Sequence, residues 1–562
     1  MKHQSLRRAA LTAIAVASSL APAVSLAAST GASAIPVVAR GYRAPAIPAA
    51  ASTIVGITGQ PFVGIRLHDA IAMALRKNPY LAIAGENVKI ARYAVVAAKG
   101  NFDLRFQIAP SVAHVTQAPT NAFFAGPNFS PIVQNQQKVA GTLSALLPGG
   151  QSVSVGLSQS KTIDNTSINA FDPSYATSLN VGLDQPLLRG AGMNPAREQL
   201  QLAVAGSRAA RALARAQAAS TIASVESTYW QLVAAWRSVA IAQSALREAM
   251  LQEGSVDRLV SRGAAAPIER TEAQSQVESF RATLDSALQQ VAGLQNALKA
   301  QILSESNDPI WRANLVPTSP ARALPKIAKL NALVTRALRD RPEIAQSAAT
   351  QEEAAIALAG AKNGVLPKID LTLGYQSNGF AGIPTNVNPF GAGPATPVPG
   401  YLAGAMAQSY HNLWGGRFPV YSAQITYSTT FGHRTSHAAL ATARAKARIA
   451  ELQSKGLVDQ IVIENRNALQ AYRSALARLS ATRAARIAAK AVYQSEVRKY
   501  KNGASTTFLV LQRQVQLEQA RGAELQAQTD LNIAVVEIER ASGTILTKNH
   551  VKLAALGSGV AP

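Results

Sequence analysis

The side chains best able to do chemistry are few and dispersed. His433 and His437 stand four apart, a spacing that places two imidazoles on one helix face and could open a metal site. No third ligand joins them in the sequence, and a lone pair of this kind is ordinarily surface decoration. None of H-E-x-x-H, G-x-S-x-G and G-x4-G-K-[ST] occurs among the 562 residues, so the spacings of a zinc protease, a nucleophile elbow and a phosphate loop are missing. With Cys 0 in the composition, disulfides, thiol catalysis and a lipid-modified N-terminal cysteine are excluded. The reading is not an enzyme: no catalytic residue, no metal and no cofactor is expected.

The elements that remain are long, and they organise a surface instead of a pocket. Only 5% of residues are aromatic and Ala-rich helical tracts dominate, which suits elongated helical packing better than large compact cores. Residues 1–27 read as a signal peptide: Lys2, Arg7 and Arg8 precede the apolar run "AALTAIAVASSLAPAVSLA" and small residues suited to cleavage after Ala27 or Ala34;. An uncleaved anchor is the alternative, and Pro22 interrupts it. Residues 28–64 form an Ala/Pro-rich linker. No later stretch offers about 18 uninterrupted apolar residues, so a transmembrane helix is not expected. The net charge of +24 is spread along helices as in "RAARALARAQ" and reads as a solvated basic face, with no nucleic acid as partner.

A repeat divides the chain. "ALRKNPYLAIAGENVKIARYAVVAAKG" matches "ALRDRPEIAQSAATQEEAAIALAGAKN", with Pro79 falling on Pro342, and "LVSRGAAAPIERTEAQSQVE" around Gly263 matches "KYKNGASTTFLVLQRQVQLE" around Gly503. An internal duplication follows, with residues 65–303 as the first repeat, 304–325 as linker, 326–546 as the second repeat and 547–562 as a C-terminal tail. Each repeat reads as a helix, strands, and a long helical hairpin whose tip lies near 263 or near 503. The strands are 102–115 and 176–188 in the first repeat and 368–377 and 420–431 in the second. An extra hairpin at 139–161 is built around "PGGQ";. Coiled-coil seams run through Val225, Tyr229, Leu232, Trp236, Val239, Gln243, Leu246 and Met250, and through Val277, Phe280, Leu284, Ala287, Val291, Leu294 and Leu298;. The strands alternate apolar with polar or small residues, as a barrel wall with lipid outside and water inside requires. Four strands per chain, or six with the hairpin, are too few to close alone, so chains must share one barrel.

In the order of these pieces, namely the ALRKNP and ALRDRPE openings, the LP before "KIDLTLGY", the "QPLLRG" turn and the glycine-centred tips, the chain resembles the TolC-like outer-membrane efflux proteins. The resemblance implies an α+β membrane protein in which a long coiled-coil α-helical barrel is continuous with a transmembrane β-barrel shared by three chains. It implies a homotrimer with four strands per chain in a twelve-stranded barrel, set in outer-membrane lipid of a Gram-negative-type cell with a large periplasmic portion. Function would be the passive exit duct of a tripartite efflux or type I secretion system, with a periplasmic adaptor and an inner-membrane pump docking at the tips around Gly263 and Gly503. A periplasmic coiled-coil scaffold without channel activity is the alternative.

By position against the family pattern, Glu269, six after Gly263, matches a gate acid, and Tyr500, three before Gly503, a gate aromatic. Where the family can place a basic residue and two acids, this chain has Ser505, Leu509 and Gln512. No acidic ring is expected, and closure is expected to rest on packing of Phe508 and Leu509. At the strand-to-helix junction, Pro186 cannot donate to a ladder, Arg189 lies in the turn, and Gly190 and Gly192 permit the bend into the helix. The second junction has Gly432 without the proline, so the two are expected to bend differently.

Overall fold

The computed structural model describes residues 61–118, 130–166, 168–305, 307–319, 327–385 and 397–551. The expected signal peptide and its cleavage sites, most of the Ala/Pro-rich linker and most of the C-terminal tail lie outside the described residues. The first two helices among the described residues are α1 (Leu67–Lys77) and α2 (Pro79–Lys99). Asn78 stops the first and caps the second, its Oδ1 accepting from Tyr80 N at 2.9 Å and Leu81 N at 3.3 Å, with Pro79 at the first helical position;. After four strands come α3 (Pro195–Ser261) and α4 (Pro267–Ile302). The same order then recurs: α5 (Leu330–Asp340), α6 (Pro342–Gly364), two strands, α8 (Arg434–Lys501) and α9 (Thr507–Ala541). At 1.5 Å per residue, α3 and α8 each run about 100 Å.

Six strands form one antiparallel sheet in the order β2-β3-β4-β5-β7-β8: β2 (Arg105–Gln117), β3 (Ile132–Leu146), β4 (Ser152–Asp164), β5 (Phe171–Pro186), β7 (Lys368–Pro384) and β8 (Phe418–Ser428). The strands are displaced by a few residues from those read in the sequence. A 3-10 turn, Gly100–Phe102, takes Phe102, expected to begin the first strand, and β2 starts at Arg105; the extra hairpin is longer than 139–161. β7 runs on to Pro384 through residues expected to be loop. A separate parallel pair, β1 (Phe62–Ile65) with β6 (Asn314–Pro317), is held against α3 by the Tyr229 hydroxyl, which donates to Ile65 O and accepts from Ser319 N, both at 3.0 Å.

The register gives the sheet two chemically distinct faces. One rung reads Phe106, Leu143, Val155, Val181, Tyr375, Tyr421 across all six strands; the neighbouring rung reads Gln107, Thr142, Gly156, Asn180, Gln376, Val420. The apolar face is bare on the outermost strands: Phe106, Ile108, Val112, Tyr421, Ile425 and Tyr427 are all exposed. A short helix, α7 (Met406–Trp414), lies on the same side of the sheet as that face, nearer the ends away from the long helices. Ser377 Oγ donates to Leu413 O at 2.7 Å and Thr177 Oγ1 to Ser409 O at 3.1 Å. Gly379 is required beneath it, since a Cβ there would fall 1.9 Å from Ser409 O. Among the described residues no helix is long and apolar enough to cross a membrane.

The main helical core gathers Ile222, Tyr229, Leu232, Val239, Val291, Leu298 and Ile302. Farther along α3 the buried stripe departs from the expected seam. Ala242, Ala245 and Ala249 are buried, whereas Met250 is exposed. Ala245 and Ala249 pack on Val277 and Phe280 of α4 and on Val515 of α9, so α3 has two neighbours there and small residues let both approach.

Candidate functional site

The first junction is a strapped turn. Pro186 has no N–H to give the ladder, yet pairing runs past it: Leu187 N donates to Ile369 O at 2.7 Å and Arg189 N to Pro367 O at 3.4 Å;. Gly190 and Gly192 then take φ of 91° and 70°. Gly190 N donates to Asn363 Oδ1 at 2.8 Å and Gly192 N to Gly149 O at 3.0 Å. Asn194 caps α3 by accepting from Arg197 N at 2.9 Å while its Nδ2 reaches Pro148 O at 3.1 Å. The hairpin turn Pro148 to Gly150 is thereby tied into the start of α3. Arg189 lines a cavity of about 750 Å3 beside it, together with Asp184, Lys368 and Asp370.

The second junction has no such straps. Gly432 takes φ of 88° and His433, at the N-cap of α8, takes φ of 43° without a side-chain cap. The His433 ring meets Thr429 Oγ1 at 3.3 Å and stands edge-on to His437 at 6.0 Å. Among the described residues no group of three or more His, Asp or Glu could hold a metal ion. The two junctions are held by different contacts, the hairpin turn at Pro148 and Gly149 bonding to the first of them.

At the tips both glycines end a long helix in the same way. Gly263 (φ 71°) and Gly503 (φ 73°) follow the C-caps. Gly263 N bonds Val260 O at 3.0 Å and Ala264 N bonds Leu259 O at 2.9 Å; Gly503 N bonds Tyr500 O at 3.0 Å and Ala504 N bonds Lys499 O at 2.9 Å. This double bond pattern satisfies the last carbonyls and needs a left-handed residue, which glycine supplies at least cost. Open space surrounds both glycine Cα positions, so the tips present backbone to whatever approaches them.

Glu269 and Tyr500, named from the sequence, are brought together through a residue that was not. Thr507, 1% exposed, donates its hydroxyl to Glu269 Oε2 at 2.6 Å and lies 3.2 Å from the Tyr500 hydroxyl. The first turn of α4 is thus joined to the first turn of α9. Ser505 Oγ donates to Glu496 Oε1 at 2.6 Å; that bond and the charge of Lys499 hold the Glu496 carboxyl below its ordinary range. Phe508 is exposed, Leu509 is half-buried and Gln512 is exposed. Phe508 and Gln512 face a groove of about 590 Å3 with Thr271, Glu272, Leu511 and Val515. Within one chain the tip is tied by polar groups. No local sequence pattern marks Thr507 for this role; the residue before it, Thr506, caps α9.

The fold is a two-faced sheet running through a glycine turn into helices about 100 Å long;. In fold the chain is similar to a membrane protein from Pseudomonas aeruginosa, at 18% identity over 89% of this chain and 96% of that chain, with a TM-score of 0.61. It is similar to the CmeC outer membrane channel of Campylobacter jejuni (15% identity, 85% of each chain, TM-score 0.60). It is also similar to the open state of the MtrE outer membrane channel of Neisseria gonorrhoeae (19% identity, 90% and 97%, TM-score 0.56). No family model and no curated protein sequence matches the chain. The fold is that of the TolC-like outer-membrane channels.

Proposed function

We propose that the chain is the passive exit duct of an efflux or secretion assembly, formed by three copies in the outer membrane, with the sheet in lipid and the long helices in the periplasm. The observation that carries this is the bare apolar face of a sheet whose two outer strands each leave one edge unpaired among the described residues. In water that face would be an aggregation surface, and in lipid an open edge leaves backbone groups unsatisfied; a barrel closed with further copies satisfies both conditions. A periplasmic scaffold leaves the same face without a tolerable solvent. The two halves, alike in element order, are read as products of one duplication. The glycine tips are the docking points for an adaptor and, through it, an inner-membrane pump. No side-chain constellation for catalysis enters this reading; the duct contributes a wall and a gate.

Light scattering of the detergent-solubilised protein and membrane fractionation test this. A trimer in the outer-membrane fraction is expected. A stable, water-soluble monomer would refute the channel reading.

A further inference from the structure

The sheet ends in two long free edges. Every residue of β2 and of β8 is exposed, while β3, β4, β5 and β7 are mostly partly covered. We propose that three copies close a wall of eighteen strands, β8 of each chain pairing with β2 of the next, in place of the twelve that the family resemblance implies. This rests on the trimeric channel reading above. It adds that hairpin β3–β4 is part of the wall and widens the pore.

Three observations support it. First, the apolar rung runs through the hairpin without interruption, from Phe106 to Leu143 to Val155 to Val181. β2 has no ladder with β5, so a wall without the hairpin would have to break two ladders and make a new one. Second, the hairpin turn is built into the junction: besides the Pro148 and Gly149 bonds, Gly150 takes φ of 97° and a Cβ there would lie 2.3 Å from Gly190 O. Third, the circumferences agree. Near the sheet each chain presents four helices, α2, α3, α6 and α8, packed side by side. Twelve helices about 8–10 Å apart need a ring of about 95–120 Å. With strands about 4.8 Å apart and tilted about 40°, twelve strands give about 75 Å and eighteen about 113 Å. Eighteen strands meet the helical ring without a step.

The lumen follows from the same register. Its backbone radius would be about 18 Å against about 12 Å for twelve strands, a cross-section about 2.2 times larger. The polar face is lined by serine, threonine, glycine and amide side chains, with Arg105, Lys138 and Lys368 balanced by Asp164, Asp184 and Asp370. The chamber is wide, hydrophilic and close to neutral, suited to bulky polar cargo.

The absence of cysteine gives a clean background for the test. Gln424→Cys in β8 is combined with single cysteines at each position from Gln107 to Val112 in β2, in the full-length protein, and oxidised in detergent. The pair Ser158→Cys and Ser178→Cys, whose hydroxyls lie 2.8 Å apart, shows that oxidation works. Covalent trimers at one register are expected, and single-particle images should show eighteen strands. Neutral polymers offered from the outer side should enter up to a cross-section about 2.2 times that expected of twelve strands. A trimer with twelve strands in its wall, a twelve-strand polymer limit, or no inter-chain link at any register overturns the eighteen-strand wall while leaving the channel reading standing. A monomer in detergent overturns both.

Discussion

Thr507→Val removes the hydroxyl that joins the two helical hairpins at the tip while keeping the shape of the side chain. The threonine is buried and its bond to Glu269 Oε2 is 2.6 Å. A hydrogen bond to a charged acceptor contributes about 1.5–3 kcal/mol, and the loss leaves a half-buried carboxylate without that partner. Per chain this is a factor of roughly 10 to 150 in the balance between tied and untied tips. Glu269→Gln retains an acceptor and should cost less than about 1 kcal/mol. Leu509→Ala truncates a half-buried side chain, so it should cost less than the roughly 2–5 kcal/mol of a fully buried leucine. Single-channel recording in a planar bilayer should therefore show higher conductance or open probability in the order Thr507→Val, Leu509→Ala, Glu269→Gln. The sequence alone favoured Leu509 as the restraint. If Leu509→Ala opens the pore and Thr507→Val leaves it unchanged, the tip is held by apolar contacts between chains and the reasoning fails.

Other expectations follow from single contacts. Gly150→Ala should destabilise the assembly by about 2 kcal/mol or more, because a left-handed backbone and a clash with Gly190 O combine;; a melting temperature equal to that of the wild type would contradict the pinned hairpin. Burial pushes the Glu343 carboxyl up, but the hydrogen bond from Arg341 at 2.9 Å and the charges of Arg341 and Arg540 outweigh it and hold it below its ordinary value. A depressed folded pKa contributes stability that is complete above the unfolded value and is lost as pH falls through the folded one. Melting temperature should then drop on acidification below about pH 4.5, less steeply in Glu343→Gln. Trp414, exposed at the end of α7 on the apolar side of the sheet, should be quenched by brominated lipid, and Trp414→Phe should abolish most of that quenching. Lys138→Glu should shift the reversal potential toward cation preference, since the strand lumen is otherwise balanced; no shift would mean that Lys138 does not face the pore.

What could be read from the sequence was whatever repeats over a long enough stretch. Leu179, Val181 and Leu183 alternate over a strand, and the heptad steps from Val225 to Val239 fix a buried face, so both signals add up over many residues. α7 gave none. Its nine residues bury Ser409, Asn412 and Leu413, two of them polar, because the helix is held to the sheet largely by hydrogen bonds from Thr177 and Ser377 and by Asn412 Nδ2 to Phe380 O at 2.8 Å. A helix attached in that way has no apolar stripe to find. β1 and β6, four residues each, are too short for any period to show. The seam beyond Val239 was misread for another reason: a strict heptad assumes one partner helix, and α3 acquires a second.

The tip shows where reading by position stops. Set against the family that the chain resembles, Leu509 and Gln512 say only that the expected acids are missing, which leaves apolar packing as the natural substitute. The fold adds a polar tie at Thr507, seven residues from Tyr500 across the glycine turn, with Glu269 arriving from the other helical hairpin. No local pattern marks such a bond, since its members are separated by 238 positions and meet only because two glycine turns hold the starts of α4 and α9 side by side. The glycines were legible because their requirement is local: a left-handed residue closing a helix. The hydroxyl was not, because its role depends on which helix stands next to it. The same distinction applies at the other end of the molecule, where Pro186 announces the end of a strand but the straps from the turn at Pro148 and Gly149 to the start of α3 have no local signal.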